Sequence, residues 1–488
     1  MIPRLADSRR TVAVAAALAG LVRLVGLTRP VRADEAGFVL VARSWHPEAG
    51  SLFGTYFVDR PPSLIAIYKL ADAVGGPLAI RVVGAVACAA LVLLAAWLGR
   101  LVADERAGRW TAIAAAALVT TPVMDLVAAK GEVLALPFLV AAAGLAVVAV
   151  RNRSGWPAFA AGLLAACAVG LKQNLAGGAV FTGVLMVASA LAGRLGGRDL
   201  ARLAGVALAG FAVPVLATIG WALAAGVGLH TLWYAVYGFR ADASAVLGDG
   251  PAEAPMRRAL VLLLILVVDG IAVVLAAYLL RVRRSWRLDA PLTAAVVAMI
   301  AFDVVALALG GSFWQDYAFG LVPGTLLAVA LLGTRWRERL VPLMVVSTVV
   351  CLAGWAAWNL AGRQEFDEHD TGVALRAVAE PGDTLVVFGG RADLQLESGL
   401  PSPYPYLWSL PMRARDPDLT RFRAMVNGRD APTWLVEWWP FDTWTSQGEA
   451  LERDVRQRYV EHGTGCGGRT IWLLQGVDRP VPEPDCHG

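Results

Sequence analysis

Ionisable residues stand at the ends of long apolar runs, and their types suit group-transfer chemistry. Asp34-Glu35 follows the first run, Asp59-Arg60 precedes two prolines, Lys130 and Glu132 flank Gly131, Lys172-Gln173 closes another run, and Asp316 lies between two more. Only three lysines occur, Lys69, Lys130 and Lys172, all near such ends. At a membrane surface a carboxylate can deprotonate an acceptor hydroxyl, while Lys or Arg can stabilise a departing phosphate. Asp59 with Glu132 can hold a divalent cation against that phosphate. Each group also suits a salt bridge supporting a loop or a snorkelling helix end, so residue type alone leaves both readings open.

These residues need a membrane scaffold. The chain is 57% hydrophobic and only 17% charged, with a mean hydropathy of +0.58, so lipid must solvate most of it. The formal charge of +4 is spread through short arginine clusters between apolar runs. That layout excludes a nucleic-acid-binding face and matches the positive-inside pattern. Arg4, Arg9 and Arg10 precede the run from Thr11 to Leu27, which reads as a retained signal-anchor with a cytoplasmic N-terminus.

Runs long enough to cross a bilayer lie near 11–27, 78–99, 110–127, 131–150, 157–172, 175–193, 203–225, 259–280, 290–310, 317–333 and 340–358. About eleven crossings are expected on this count, which puts the C-terminal segment outside. Arginines near 100–109, 151–153, 194–202, 281–287 and 335–339 then all fall in cytoplasmic loops. On the outer side, 28–70 carries a proline-started helix from Pro61-Pro62, and 226–258 carries His230, Trp233, Tyr234, Tyr237 and Arg240. Those aromatics suit an interface belt or a groove for a lipid tail.

After Trp358 the composition turns polar. Thr384–Phe388, Trp434–Glu437 and Thr470–Leu474 read as strands, with helices over 364–379 and 449–459, which predicts an α/β domain over 361–488 behind an all-α membrane domain over 1–360. Cys466 and Cys486 can pair in an oxidising compartment, and His462 and His487 beside them are poor candidates for a metal site. Tyr404, Tyr406, Trp408, Trp434, Trp438, Trp439 and Trp444 suit either sugar stacking or the core of a small domain.

The order of these motifs resembles the GT-C superfamily of membrane glycosyltransferases, in the branch of protein O-mannosyltransferases and the lipid A aminoarabinose transferase. Asp34-Glu35-Ala36-Gly37-Phe38 is similar to the family's acidic pair, and Tyr56-Phe57-Val58-Asp59-Arg60-Pro61-Pro62-Ser63-Leu64 to its second motif, with Arg60 where Lys is usual. Lys130-Gly131-Glu132 matches a position where the family carries Asp, and Phe313-Trp314-Gln315-Asp316-Tyr317 a segment where His is common. The resemblance implies a GT-C-like polytopic membrane fold, in keeping with the roughly eleven helices and the extracytoplasmic C-terminal domain read from the apolar runs. It implies sugar transfer, with inversion, from a polyprenyl-phosphate donor to an envelope glycan, glycolipid or protein. Asp34 would be the base with Glu35 supporting it, and Arg60, Lys130, Lys172, Gln173 and Arg240 would receive the phosphate. Asp59 and Glu132 would hold an optional Mg2+ or Mn2+, and Tyr56, Asp316 and Tyr317 would line the cavity. The excess of Arg over Lys points to a GC-rich bacterium and so to its plasma membrane. A lipid-linked-sugar transporter or a non-catalytic assembly protein are the rival readings.

Overall fold

The computed structural model describes residues 2–249, 253–444 and 447–486, so His487 lies outside the described residues. Among these, all β-strands lie beyond Leu360, and the preceding chain is helical.

The expected count of about eleven crossings is corrected. Among the described residues six helices are long and apolar enough to span a membrane: Ser8–Thr28, Ala79–Val102, Gly131–Asn152, Gly197–Ala224, Ala290–Leu309 and Thr334–Leu360. A seventh arises only if Glu253–Val268 and Ile271–Leu279, bent by 72°, form one span. The other apolar runs make short helices. Glu105–Thr120 has 16 residues, Gly155–Leu171 has 17 and Gly177–Leu191 has 15. At about 1.5 Å per residue these reach only roughly 22–26 Å against about 30 Å of hydrocarbon. Hydropathy sums apolarity along a run and is blind to the breaks. Thr121-Pro122 ends one run, and Gly270, at φ 78°, breaks another. With six or seven candidate spans, the count no longer fixes the side of the C-terminal segment.

Small residues let the bundle pack tightly. A Cβ at Gly162 would meet the Ala207 carbonyl oxygen at 1.9 Å, and one at Gly210 would meet that of Phe159 at 2.0 Å. The backbones of Gly155–Leu171 and Gly197–Ala224 therefore touch directly. The arginine-rich turns gather at one end: Arg151 donates to the Leu101 carbonyl, Arg153 to that of Arg194, Arg194 pairs with Asp289, and Arg337 pairs with Asp104.

Beyond Leu360 lies a four-stranded sheet in the order β1-β2-β4-β3, formed by β1 (Leu385–Phe388), β2 (Trp434–Glu437), β3 (Tyr459–Gly465) and β4 (Arg469–Leu474). β1 and β2 run parallel, and both pairings of β4 are antiparallel. The sequence reading lacks β3, whose Glu461, His462 and two glycines hide a strand pattern. Most of the expected aromatics, Tyr404, Tyr406, Trp434 and Trp438 among them, are buried in the two cores of this unit. Cys466 and Cys486 form a disulfide. A further core joins this region to the membrane part: Ala392, Leu396 and Leu407 pack with Ala36, Phe38, Tyr56 and Leu64.

One buried ion pair fixes the chain where these parts meet. Arg81, on Ala79–Val102, pairs with Glu35, on the helix Ala33–Arg43, with side chains 1% and 0% exposed. Its remaining N–H groups donate to the carbonyls of Gly26, Arg29 and Pro30. Glu35 also accepts from the backbone N–H of Ala129 at 3.0 Å. Four segments thus share one polar centre, and removing either charge leaves the other uncompensated. Arg81→Met should cost about 3–5 kcal/mol, seen as a fall in the thermal midpoint of the solubilised protein. Arg43→Met, which breaks the exposed pair with Asp72, should cost less than about 1 kcal/mol. Equal shifts for the two variants would contradict this ranking.

Candidate functional site

At the end of the bundle opposite the arginine turns lies a cavity of about 950 Å³. Asp34, Asp59, Arg60, Lys130, Glu132, Lys172, Arg240, Asp316 and Tyr317 all line it.

Asp34 sits in the first turn of Ala33–Arg43, one residue from Glu35. Successive helical residues are rotated by about 100°, so the Glu35 carboxylate enters the wall toward Arg81 while Asp34 lines the cavity. Lys130 is the N-cap residue of Gly131–Asn152 and ends a wired loop. In that loop Asp125, at φ 87°, accepts from the backbone N–H groups of Val127 and Ala128, and Arg23 donates to the carbonyls of Asp125 and Ala128. Burial works against charge on Asp125, but Arg32 and Lys130 outweigh it and hold the carboxyl below its usual range. The bond from Ala129 to Glu35 brings the next residue, Lys130, beside Asp34.

Lys130 Nζ stands 3.1 Å from Asp34 and 2.8 Å from Asp316. Burial opposes its charge, yet Asp316 and Asp34 overcome that and raise the ammonium well above the ordinary lysine value. It is therefore a permanent cation between two carboxylates. Asp59 is held by Arg60 at 2.7 Å and by Arg240 at 2.6 Å. Lys172 pairs with Glu132, and its Nζ lies 4.4 Å from the centre of the Tyr317 ring.

Glu35, Tyr56 and Gln173 stand behind the wall. The Tyr56 hydroxyl accepts from the Ser402 backbone N–H at 3.0 Å, and Gln173 Nε2 donates to the Asp59 carbonyl at 3.1 Å. Cys466 and Cys486 are outside the cavity lining. Sequence reasoning missed several lining residues. Arg257 and Arg258 open an apolar helix that contributes Val261, Leu262 and Ile265, and Arg258 stacks 4.5 Å over Trp314. This arginine doublet at the cavity end, away from the other clusters, was a usable signal. The C-terminal residues Arg391, Asp393 and Trp408 also line the cavity; of these the sequence marks only Trp408, as an aromatic suited to sugar stacking or to a core.

The expected metal pair has a poor donor set. Both oxygens of Asp59 face guanidinium groups and Glu132 faces Lys172, whereas Mg2+ needs several free oxygen ligands in near-octahedral array. Among the described residues no group of three or more His, Cys, Asp or Glu side chains could hold a metal ion.

No known family pattern matches the chain, and no curated protein does. Solved structures do. ArnT from Cupriavidus metallidurans bound to undecaprenyl phosphate is 14% identical, with a TM-score of 0.61 over 94% of this chain and 97% of that one. The Archaeoglobus fulgidus oligosaccharyltransferase, in its apo form, is 12% identical, with a TM-score of 0.53 over 97% of this chain and 75% of that one. The archaeal oligosaccharyltransferase AglB from the same organism, in complex with an inhibitory peptide and a dolichol-phosphate, matches with a TM-score of 0.53 and 12% identity. At such identities the likeness is one of architecture: the chain has the fold of these membrane transferases, a polytopic helical bundle joined to a C-terminal region bearing strands.

Proposed function

We propose that the protein transfers a glycosyl group from a polyprenyl-phosphate donor to an acceptor hydroxyl in this cavity. One observation carries the reading: a carboxylate, Asp34, lies within hydrogen-bond reach of a buried lysine, Lys130, in a chamber that also holds Arg60, Arg240 and Lys172. A base beside a cluster of fixed cations is what displacement of a sugar from a phosphate requires. The structural neighbours were solved with undecaprenyl phosphate and with a dolichol-phosphate, which lends support to a lipid phosphate as the leaving group.

In this mechanism the acceptor oxygen attacks the anomeric carbon from the side of Asp34, and its proton passes to the Asp34 carboxylate. The bond from the anomeric carbon to the phosphate oxygen breaks, and its electron pair leaves with the polyprenyl phosphate. Attack opposite the leaving group inverts the anomeric configuration. Lys130, Arg60 and Arg240 neutralise the growing charge on phosphate in a poorly hydrated chamber, where each contact is stronger than in water. Lys130 would exchange Asp34 for the phosphate, which releases one oxygen of the base.

The acceptor class is an envelope glycan, glycolipid or protein, and the setting is a multi-pass protein of a bacterial plasma membrane. The arginine end, lying opposite the cavity, favours a cytoplasmic N-terminus and an outward-facing cavity. Residues 1–360 would form the membrane unit and 361–488 an extracytoplasmic unit that completes the chamber.

The test is transfer by purified protein in nanodiscs, offered a mass-resolved panel of polyprenyl-phosphate sugars with envelope lipid extract. Wild type should consume one donor, and Asp34→Asn should lower turnover by about 10²–10⁴-fold while remaining folded. Full activity in Asp34→Asn would remove the base assignment. Lys130→Met should lower turnover by about 10²–10³-fold. A divalent cation would have to displace an arginine from Asp59, so turnover should survive EDTA. Loss in EDTA with recovery in Mg2+ or Mn2+ would return Asp59 and Glu132 to a metal role.

A further inference from the structure

Asp34 is 37% exposed, so a base in this position needs external restraint to keep one orientation. Two donors supply it. Lys130 holds Oδ2, and the indole N–H of Trp408, 374 residues away in sequence, donates to Oδ1 at 3.1 Å.

The seat of that indole is built from both parts of the chain. A Cβ at Gly37 would meet Trp408 Cζ2 at 2.1 Å, so only glycine, one turn beyond Asp34, lets the ring lie there. Phe38 packs on the ring with centroids 5.8 Å apart. On the other side Gly390, at φ 71°, presses against the Trp408 backbone, where a Cβ would approach within 2.5 Å. The Phe57 N–H donates to the Pro405 carbonyl at 3.0 Å, and Arg415 lies 4.4 Å over Phe57 and 5.2 Å over Tyr234. The segment around Trp408 is therefore clamped to the loop that carries Asp59 and Arg60.

We propose that Trp408 is a positioning residue for Asp34, its indole N–H fixing one carboxylate oxygen so that the other faces the acceptor hydroxyl. This rests on the transferase reading. An indole suits the task because it is a donor only and uncharged. It orients the carboxylate without bringing a cation that would compete with the acceptor proton. Lys130 is shared with Asp316 and is drawn toward the donor phosphate, which leaves Trp408 as the constant restraint through the reaction. The C-terminal region thereby becomes a component of the site.

Trp408→Phe keeps an aromatic ring over Gly37 and removes the donor. Its kcat should fall about 10- to 100-fold while donor KM stays within about twofold. Gly37→Ala, which drives the indole off its seat, should give the same split. A Trp408→Phe enzyme with wild-type kcat would overturn the proposal, since a packing role alone is preserved in that variant. Independently of turnover, protein labelled with 15N in its indole groups should show one N–H resonance that is absent in Trp408→Phe and shifted in Asp34→Asn. An unshifted resonance overturns the contact. A wild-type protein that consumes no donor overturns the transferase reading and this inference with it. An active wild type with an indifferent Trp408→Phe overturns this inference alone.

Discussion

The Glu35–Arg81 pair is the interaction on which the geometry of the cavity depends. Neither charge tolerates a dry interior alone, so each enforces the presence of the other. Arg81 directs its remaining donors to the carbonyls of Gly26, Arg29 and Pro30, where the first helix tightens into the 3-10 turn Leu24–Thr28 and ends. Glu35 spends a lone pair on the Ala129 N–H. These bonds fix the register between 34–35 and 129–130, and that register sets Asp34 against Lys130. The two residues proposed for the chemistry, Asp34 and Lys130, are therefore one residue removed from the structural centre on both segments.

Charge balance governs the rest of the chamber. Asp34 and Asp316 share Lys130, Asp59 is shared by Arg60 and Arg240, and Glu132 has Lys172. A cluster of this density is stable in a poorly hydrated setting only because opposite charges interleave. An incoming anion competes with resident carboxylates for the same cations. In the proposed reaction, binding of the donor phosphate would be an exchange of partners that frees an acidic group.

The strand-bearing C-terminal region is joined to the helical part by a common apolar core and by polar contacts to the loop around Asp59. Ala392, Leu396 and Leu407 are buried among residues of the first loop, and the Tyr56 hydroxyl bonds the Ser402 backbone. Cooperative burial of this kind resists relative sliding of the two parts. It also explains the glycines where the two parts meet, since Gly37 and Gly390 allow backbone and indole to approach more closely than any side chain permits.

Much was legible without coordinates because it is local. The apolar runs, the proline that opens Pro62–Gly75, three of the four strands and the ionisable residues at run ends all follow from composition and spacing. Tertiary structure decided what is not local. Whether a run spans depends on the unbroken helix it forms, and the short helices Glu105–Thr120, Gly155–Leu171, Gly177–Leu191 and Gln315–Leu331, with the kink at Gly270, leave six or seven of the expected crossings among the described residues. Two adjacent carboxylates look alike in sequence, and only helix phase and the presence of Arg81 send one into the wall and leave the other at the cavity. In sequence Trp408 reads only as one of a group of aromatics, because the partner of its indole N–H lies 374 residues away. Residue type fixes what a group can do, whereas its partners, set by packing across the whole chain, fix which of those things it does.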